Sequence, residues 1–344
     1  MNNAISIRAR ILAAVCVVCV MPAVMTQVAA AGEIYVFGDS LSDTGNLFLL
    51  TGGTSGDVFT TDPDKSPRLP TPPFYDGRAS NGPVWIEPFA ARLGLTIPQP
   101  FVTGGTNYSF IGAVTGPGSS SPYPIPTVKA QVDAYLRNAT AAAPDDLFVV
   151  WGGANDFFYG QTDSTIPVSN LVLAIETLHD QVHASRFLVP NLPPLGKTPT
   201  GAALDPLGYD LLTTEFNALL DTELDTLRDS LGLTIHEFDV YAQFEQMLAN
   251  PAAYGLTNVT RTALVVEEDT SSPLFGYPTY PYTLQFDPDE SLFFDGVHPT
   301  ALGHALIAEA AAASVPEPGT LVLFLTGLVL FAVQLRRSLP HSCE

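Results

Sequence analysis

Five short apolar runs, at 33–37, 106–111, 146–151, 186–189 and 234–238, alternate along the chain with stretches of helical period. Residues 83–94 carry Val84, Trp85, Phe89, Ala90 and Leu93. Residues 169–185 place Leu171, Val172, Ile175, Leu178 and Val182 on one face, and 213–231 do the same with Phe216, Leu219, Leu220, Leu224 and Leu227. Strands that alternate with amphipathic helices predict a parallel sheet covered on both faces. No internal repeat or heptad run competes with that reading. Residues 51–82 and 112–126, rich in Gly, Pro, Ser and Thr, are expected to be loops. A long connection at 269–292 contains Tyr277, Tyr280, Tyr282 and Phe286. Its aromatics either line a substrate cleft or pin the loop to the body, and both readings stay open.

The two ends carry targeting signals. Arg8 and Arg10 precede a mostly apolar run from Ile11 to Val24, and Ala29-Ala30-Ala31 offers a small-residue cleavage site, so 1–31 reads as a secretory signal peptide. Valine before Cys16 and Cys19 does not fit a lipoprotein signal. At the other end, Val315-Pro316-Glu317-Pro318-Gly319-Thr320 is followed by an apolar segment, Leu321 to Val333, and by Arg336-Arg337. The segment is barely long enough to span a membrane as a transmembrane helix, and the arginine pair would stay cytoplasmic. The three cysteines, Cys16, Cys19 and Cys343, all fall in these ends. The domain between, 32–314, therefore has no disulfide, no thiol nucleophile and no cysteine-ligated metal. With a formal net charge of −21 the chain repels nucleic acid and anionic membranes, and its membrane contact is expected only through the terminal segments.

The chemistry concentrates at the carboxyl ends of the predicted strands. Ile34-Tyr35-Val36-Phe37 runs into Gly38-Asp39 and presents Ser40 just before a helix start, where open α/β sheets place ligand chemistry. A serine nucleophile needs a base, and the base needs an acceptor to hold its tautomer. Asp295 and His298, three apart in the loop before the helix of Leu302, Ala305, Leu306 and Ala308, suit those roles, and Pro299 limits the loop's freedom. Two further strand ends offer oxyanion donors. Asn155 in Trp151-Gly152-Gly153-Ala154-Asn155-Asp156 has a side-chain amide, and Gly112 after Asn107–Ile111 has an N–H that no side chain shields.

Together these segments resemble the GDSL, or SGNH, hydrolase family. FGDSLSDTGN over 37–46 matches its serine block, Gly153–Asp156 its GxND block, and Asp295 with His298 its DxxH block. Its second block maps to Gly112, with Gly104 and Gly105 close by. Asn81–Trp85, Asn191–Gly196 and Phe216–Leu220 agree with the branch that holds plant-type GDSL lipases and lecithinase/hemolysin-like enzymes. The resemblance implies a flavodoxin-like three-layer α/β/α sandwich with a five-stranded parallel sheet. It also implies ester hydrolysis without metal or cofactor: Ser40, Asp295 and His298 as triad, and Ser40, Gly112 and Asn155 as oxyanion hole. The G-x-S-x-G elbow is absent, because Ser42 takes its last position. The tail resembles the PEP-CTERM sorting signal of Gram-negative bacteria, which implies an exosortase-type processing partner and a place in the envelope or outside the cell. An ordinary tail anchor is the rival reading.

Several other residues invite a role. Asp39 and Asp43 are assigned to turn and cap positions. His179 and His183, four apart on a predicted helix, lack a third metal ligand. His304 is expected to be packed or exposed. Phe157-Phe158-Tyr159 walls an acyl pocket or packs the core, and Lys197 stands where plant relatives often carry cysteine. The substrate is expected to be a lipid ester, a short-chain ester or an acylated polysaccharide. An O-acetylesterase or an acyltransferase would use the same machinery, and a non-catalytic surface protein retaining the fold is the alternative from another class.

Overall fold

In the computed structural model of the chain, the described residues are 32–51, 73–121, 124–266 and 282–315. The signal segment 1–31, the tail beyond Val315, and Tyr277 and Tyr280 of the long connection lie outside them. In chain order the elements are β1 (Ile34–Gly38), α1 (Asn46–Leu50), α2 (Ile86–Arg92), α3 (Val128–Leu136) and β2 (Leu147–Trp151). Next come α4 (Ala154–Phe158), α5 (Thr165–Val182), β3 (Arg186–Pro190), α6 (Pro199–Leu204), α7 (Pro206–Leu231) and β4 (Thr234–Phe238). The last are α8 (Val240–Ala249), β5 (Asn258–Thr262), β6 (Leu264–Val266), β7 (Tyr282–Leu284), β8 (Ser291–Phe293) and α9 (Ala301–Ser314). Among the described residues no helix is long and apolar enough to cross a membrane.

β1 to β4 form a parallel sheet in sequence order, with Val36 opposite Val149 and Leu188 opposite His236. Successive side chains of a strand point to opposite faces, and the core divides accordingly. On one face Phe37, Phe148, Val150, Phe187 and Val189 meet α3, α5 and α7, whose contributions include Val132, Ile175 and Leu220. On the other, Val36, Val149, Trp151 and Leu188 meet α2, α8 and α9 through Phe89, Phe244 and Ile307. The result is the expected three-layer α/β/α sandwich.

The sheet differs from expectation in one strand. The run at 106–111 does not form a fifth strand; it makes two isolated parallel bridges, both through Asn107, with Val36 at the edge of β1 and with Pro100. Its backbone still reaches β1, where Tyr108 N–H donates to Val36 O at 2.7 Å and Phe110 N–H to Gly38 O at 3.1 Å. Thr106 O accepts from Val36 N–H at 3.1 Å and Asn107 N–H donates to Gln99 O at 2.9 Å, and side chains take further backbone groups of the segment. Asn46 Nδ2 donates to the carbonyls of Asn107 and Ser109, and Asn107 Oδ1 accepts from Ser109 N–H at 2.9 Å. Side-chain partners of this kind compete with a ladder, so the strand is replaced by a pinned, irregular edge.

Two helices also depart from their expected limits. α7 starts at Pro206, seven residues before the predicted 213, because Asp205 caps it through Gly208 N–H at 3.0 Å and proline occupies the first helical position. The inward stripe begins only at Thr213, so apolar period alone does not reveal the first two turns. α5 covers Thr165–Val182 rather than 169–185, ending where His183 turns left-handed with φ 61°. In the long connection, Phe286 packs with Phe74, Leu264 and Phe294 and lies 4.4 Å from the Arg261 guanidinium, which pins it to the body.

β1 and β2 approach so closely at their carboxyl ends that a Cβ on Gly38 would sit 2.5 Å from the Trp151 carbonyl oxygen. Gly38→Ala is therefore expected to destabilise the domain by about 1–3 kcal/mol through overpacking, read as a lower midpoint in urea unfolding.

Candidate active site

β1 delivers the chain to Gly38, whose peptide is clamped by one side chain from α3. Gln131 Nε2 donates to Gly38 O and its Oε1 accepts Gly38 N–H, both at 2.8 Å. The chain then turns sharply. Leu41 N–H donates to Asp39 Oδ1 at 3.0 Å, and Asp43 N–H donates to Asp39 O at 3.0 Å. Ser40 sits within this turn with 5% of its surface exposed.

His298 comes from a loop 258 residues away in sequence and meets Ser40 with Nε2 2.8 Å from Oγ. Its Nδ1 lies 2.7 Å from Asp295 Oδ2, while Asp295 Oδ1 accepts the backbone N–H groups of Val297 and His298 at 3.0 and 2.8 Å. With Nδ1–H donating to the carboxylate, Nε2 presents its lone pair to the Ser40 hydroxyl. The loop is fastened on every side. Phe294 N–H donates to His298 O at 2.8 Å, Ser80 Oγ to Pro299 O at 2.9 Å, and Thr200 N–H to Gly296 O at 2.8 Å. Beyond it, Ala301 N–H at the start of α9 donates to Asn81 Oδ1 at 2.8 Å.

Burial presses the His298 imidazole toward a lower pKa. The Asp295 charge and hydrogen bond outweigh it, Asp39 adds to them, and the net shift is upward. Burial likewise raises the Asp295 carboxyl, but His298 and the two backbone donors leave it below the usual carboxylate range. Asp39 is pushed up to about 6 by burial, against the pull of Leu41 N–H and His298.

The two expected oxyanion donors are joined through one peptide. Gly112 is left-handed, with φ 78°, and the next carbonyl, of Ala113, accepts from Asn155 Nδ2 at 3.0 Å. An amide NH₂ has two hydrogens, so this bond orients Asn155 and leaves the second for a ligand. Buried carboxylates hold the same segment on either side. Asp43 Oδ2 accepts Ile111 N–H at 3.1 Å, and Asp156 accepts Thr115 N–H at 3.0 Å, Thr115 Oγ1 at 2.7 Å and Ser119 Oγ. Residues 111, 113 and 115 are thus gripped in turn by Asp43, Asn155 and Asp156. Sequence reasoning missed Asp156 and Gln131, and saw only the cap role of Asp43. The one available signal was position: Asp43 lies in the serine block and Asp156 directly follows Asn155.

The remaining candidates have structural places. His179 Nδ1 bonds the Ala184 carbonyl at 2.9 Å, which closes α5. His304 is buried and takes Trp85 N–H on Nδ1 at 3.2 Å; burial, then the nearby His298, push it down to about 3. Phe157 packs edge-on against Phe216 in the core, whereas Phe158 meets Tyr209 of α7 at 5.0 Å. Lys197 pairs with Glu245.

The family model described as GDSL-like lipase/acylhydrolase matches residues 34–311, and the PEP-CTERM protein-sorting motif matches 314–338. The chain is similar to the phosphatidylcholine-sterol acyltransferase of Aeromonas hydrophila, 26% identical over 86% of this chain and 95% of that one. It is also similar to esterase EstA of Pseudomonas aeruginosa, 29% identical over 89% of this chain, and spans only 50% of that longer protein. Among solved structures, a lipolytic G-D-S-L family protein from Veillonella parvula aligns with a TM-score of 0.44 and 18% identity, covering 82% of this chain and 97% of that one.

The grip on 111–115 generates a test. Asp156→Ala removes the acceptor of Thr115 N–H, Thr115 Oγ1 and Ser119 Oγ and loosens the segment that carries Gly112, while leaving the Ser40–His298 contact in place. Turnover of an ester is expected to fall about 10–10²-fold with little change in KM, since misplacement of an oxyanion donor acts on the transition state. Steady-state kinetics on folded variant protein checks it.

Proposed function

This chain belongs to the GDSL-like lipase/acylhydrolase family and is a hydrolase acting on ester bonds, and we propose that it works by covalent catalysis at Ser40. The observation that carries this reading is the unbroken hydrogen-bonded line from Ser40 Oγ through His298 to Asp295. His298 Nε2 takes the hydroxyl proton as Oγ attacks the acyl carbon, and Asp295 stabilises the imidazolium that forms. The negative charge that develops on the carbonyl oxygen is met by the N–H groups of Ser40 and Gly112 and by the second Asn155 hydrogen. His298 then gives its proton to the leaving alcohol. Water, deprotonated by the same imidazole, attacks the Ser40 ester and releases the acid.

The PEP-CTERM motif indicates export toward the cell envelope or outside. Within that setting we infer that 1–31 is removed as a signal peptide, that 32–314 is the hydrolase domain, and that 315–344 is handled by an exosortase-type enzyme. One relative favours a second outcome for the acyl-enzyme: the Aeromonas protein is named an acyltransferase, and an alcohol in place of water would give that reaction from the same intermediate.

Ser40→Ala and His298→Ala are each expected to lower kcat on p-nitrophenyl esters on the order of 10⁴–10⁶-fold, with Asp295→Asn less damaging than His298→Ala. A serine-directed phosphonate should label the wild type on Ser40 alone; wild-type turnover in Ser40→Ala overturns the reading. The pH profile gives a separate check. The base must be neutral, so kcat/KM should fall on the acid side through the raised His298 pKa. Asp295→Asn removes most of what raises it, leaving only the Asp39 charge, and the acid limb should move to lower pH.

A further inference from the structure

α7 is amphipathic in an unusual order along its outer side. Its inward stripe is Thr213, Phe216, Leu220, Leu224 and Leu227. Opposite that stripe the distal turns carry Asp221, Asp225 and Asp229, as a solvated helix face should. The first two turns carry Leu207 and Leu211 instead, one helical turn apart and 76% and 70% exposed. Leu204, at the end of α6, is 68% exposed, while the other large exposed hydrophobics described reach at most 50%. Core packing accounts for none of the three.

Their position is set by two contacts with catalytic elements. At the start of α6, Thr200 N–H donates to the Gly296 carbonyl, inside the Asp295–His298 loop. α6 is six residues long, so Leu204 lies within about 10 Å of that contact along the helix. From α7, Tyr209 meets Phe158 of α4, the helix that carries Asn155. The leucines therefore crown the two helices that abut both the base loop and the oxyanion helix.

We propose that Leu204, Leu207 and Leu211 form a docking face for a zwitterionic lipid surface, which brings ester substrate held in that surface to Ser40. The proposal rests on the ester-hydrolase reading and adds the physical state of the substrate. Charge selects the occupant. Asp205, Asp210 and Glu215 border the leucines, no Lys or Arg lies between 198 and 227, and the whole chain carries −21. An anionic surface would be repelled, whereas a zwitterionic one accepts apolar side chains without that penalty.

The full chain, tail included, supplies the test. In Leu207→Trp, emission should shift to the blue on phosphatidylcholine vesicles, against a background of two tryptophans, Trp85 and Trp151, buried in the core. In the triple variant L204Q/L207Q/L211Q, turnover of p-nitrophenyl palmitate held in those vesicles should fall about tenfold or more relative to p-nitrophenyl acetate in solution. No emission shift, or an unchanged ratio, overturns the docking face. A shift only on phosphatidylglycerol vesicles overturns the choice of surface, and a leucine-dependent dimer in sedimentation replaces the lipid by a second copy. Inactivity of the wild type on both esters would strike the hydrolase reading instead, and the emission measurement would still decide the docking face.

Discussion

The Asp43 carboxylate is wholly buried and accepts four backbone N–H groups. Those of Gly45 and Asn46 lie at 2.8 and 2.6 Å from Oδ1, and those of Leu47 and Ile111 at 3.3 and 3.1 Å from Oδ2. Three of these begin α1, and the fourth belongs to the segment that carries Gly112. Hydrogen bonds to a charged group are worth roughly 1.5–3 kcal/mol each, and a buried donor left unpaired costs a similar amount. Burial pushes this carboxyl up to about 6 even though all four donors favour its charged form. One side chain thus closes the turn after Ser40 and ties it to the segment that carries Gly112.

From that fastening the rest of the site follows. Asn46 and Asn107 cross-link the same two stretches: Asn46 Nδ2 takes the Asn107 and Ser109 carbonyls, and Asn107 Nδ2 takes Ser42 O at 2.6 Å. Side chains supplement the few backbone bonds these stretches make to β1, so the loops around Ser40 are ordered without being regular. Regular elements supply the direction of approach, and buried polar side chains supply the positions. This division explains why the sheet loses its fifth strand at the edge beside β1, the strand that leads to Ser40.

The four strands of the sheet and the two-faced core were legible because alternation of apolar runs is a local pattern. So was the pairing of Asp295 with His298, three residues apart in one loop. Legibility ended where a residue's partner is remote or its environment breaks the period. Gln131 sits on an amphipathic helix, and nothing in its neighbourhood signals that it clamps Gly38, 93 residues away. The start of α7 was hidden because Leu207 and Leu211 point outward. Asp43 was readable as a cap, since a cap is local; its bond to Ile111 was not.

Two histidines six residues apart show how partner chemistry decides function. His298 turns Nδ1 toward a carboxylate, which stabilises the protonated ring, and it keeps Nε2 for the Ser40 hydroxyl. His304 turns Nδ1 toward an amide donor, Trp85 N–H, so that nitrogen must hold a lone pair, and its Nε2 is buried without a hydrogen-bond partner among the described residues. Protonating it would place a charge in an apolar layer against a donor and beside His298. The first ring can cycle a proton and the second cannot. Because His304 stays neutral, it adds no positive charge that would depress its neighbour, and the opening of α9 fixes Trp85 without disturbing the base.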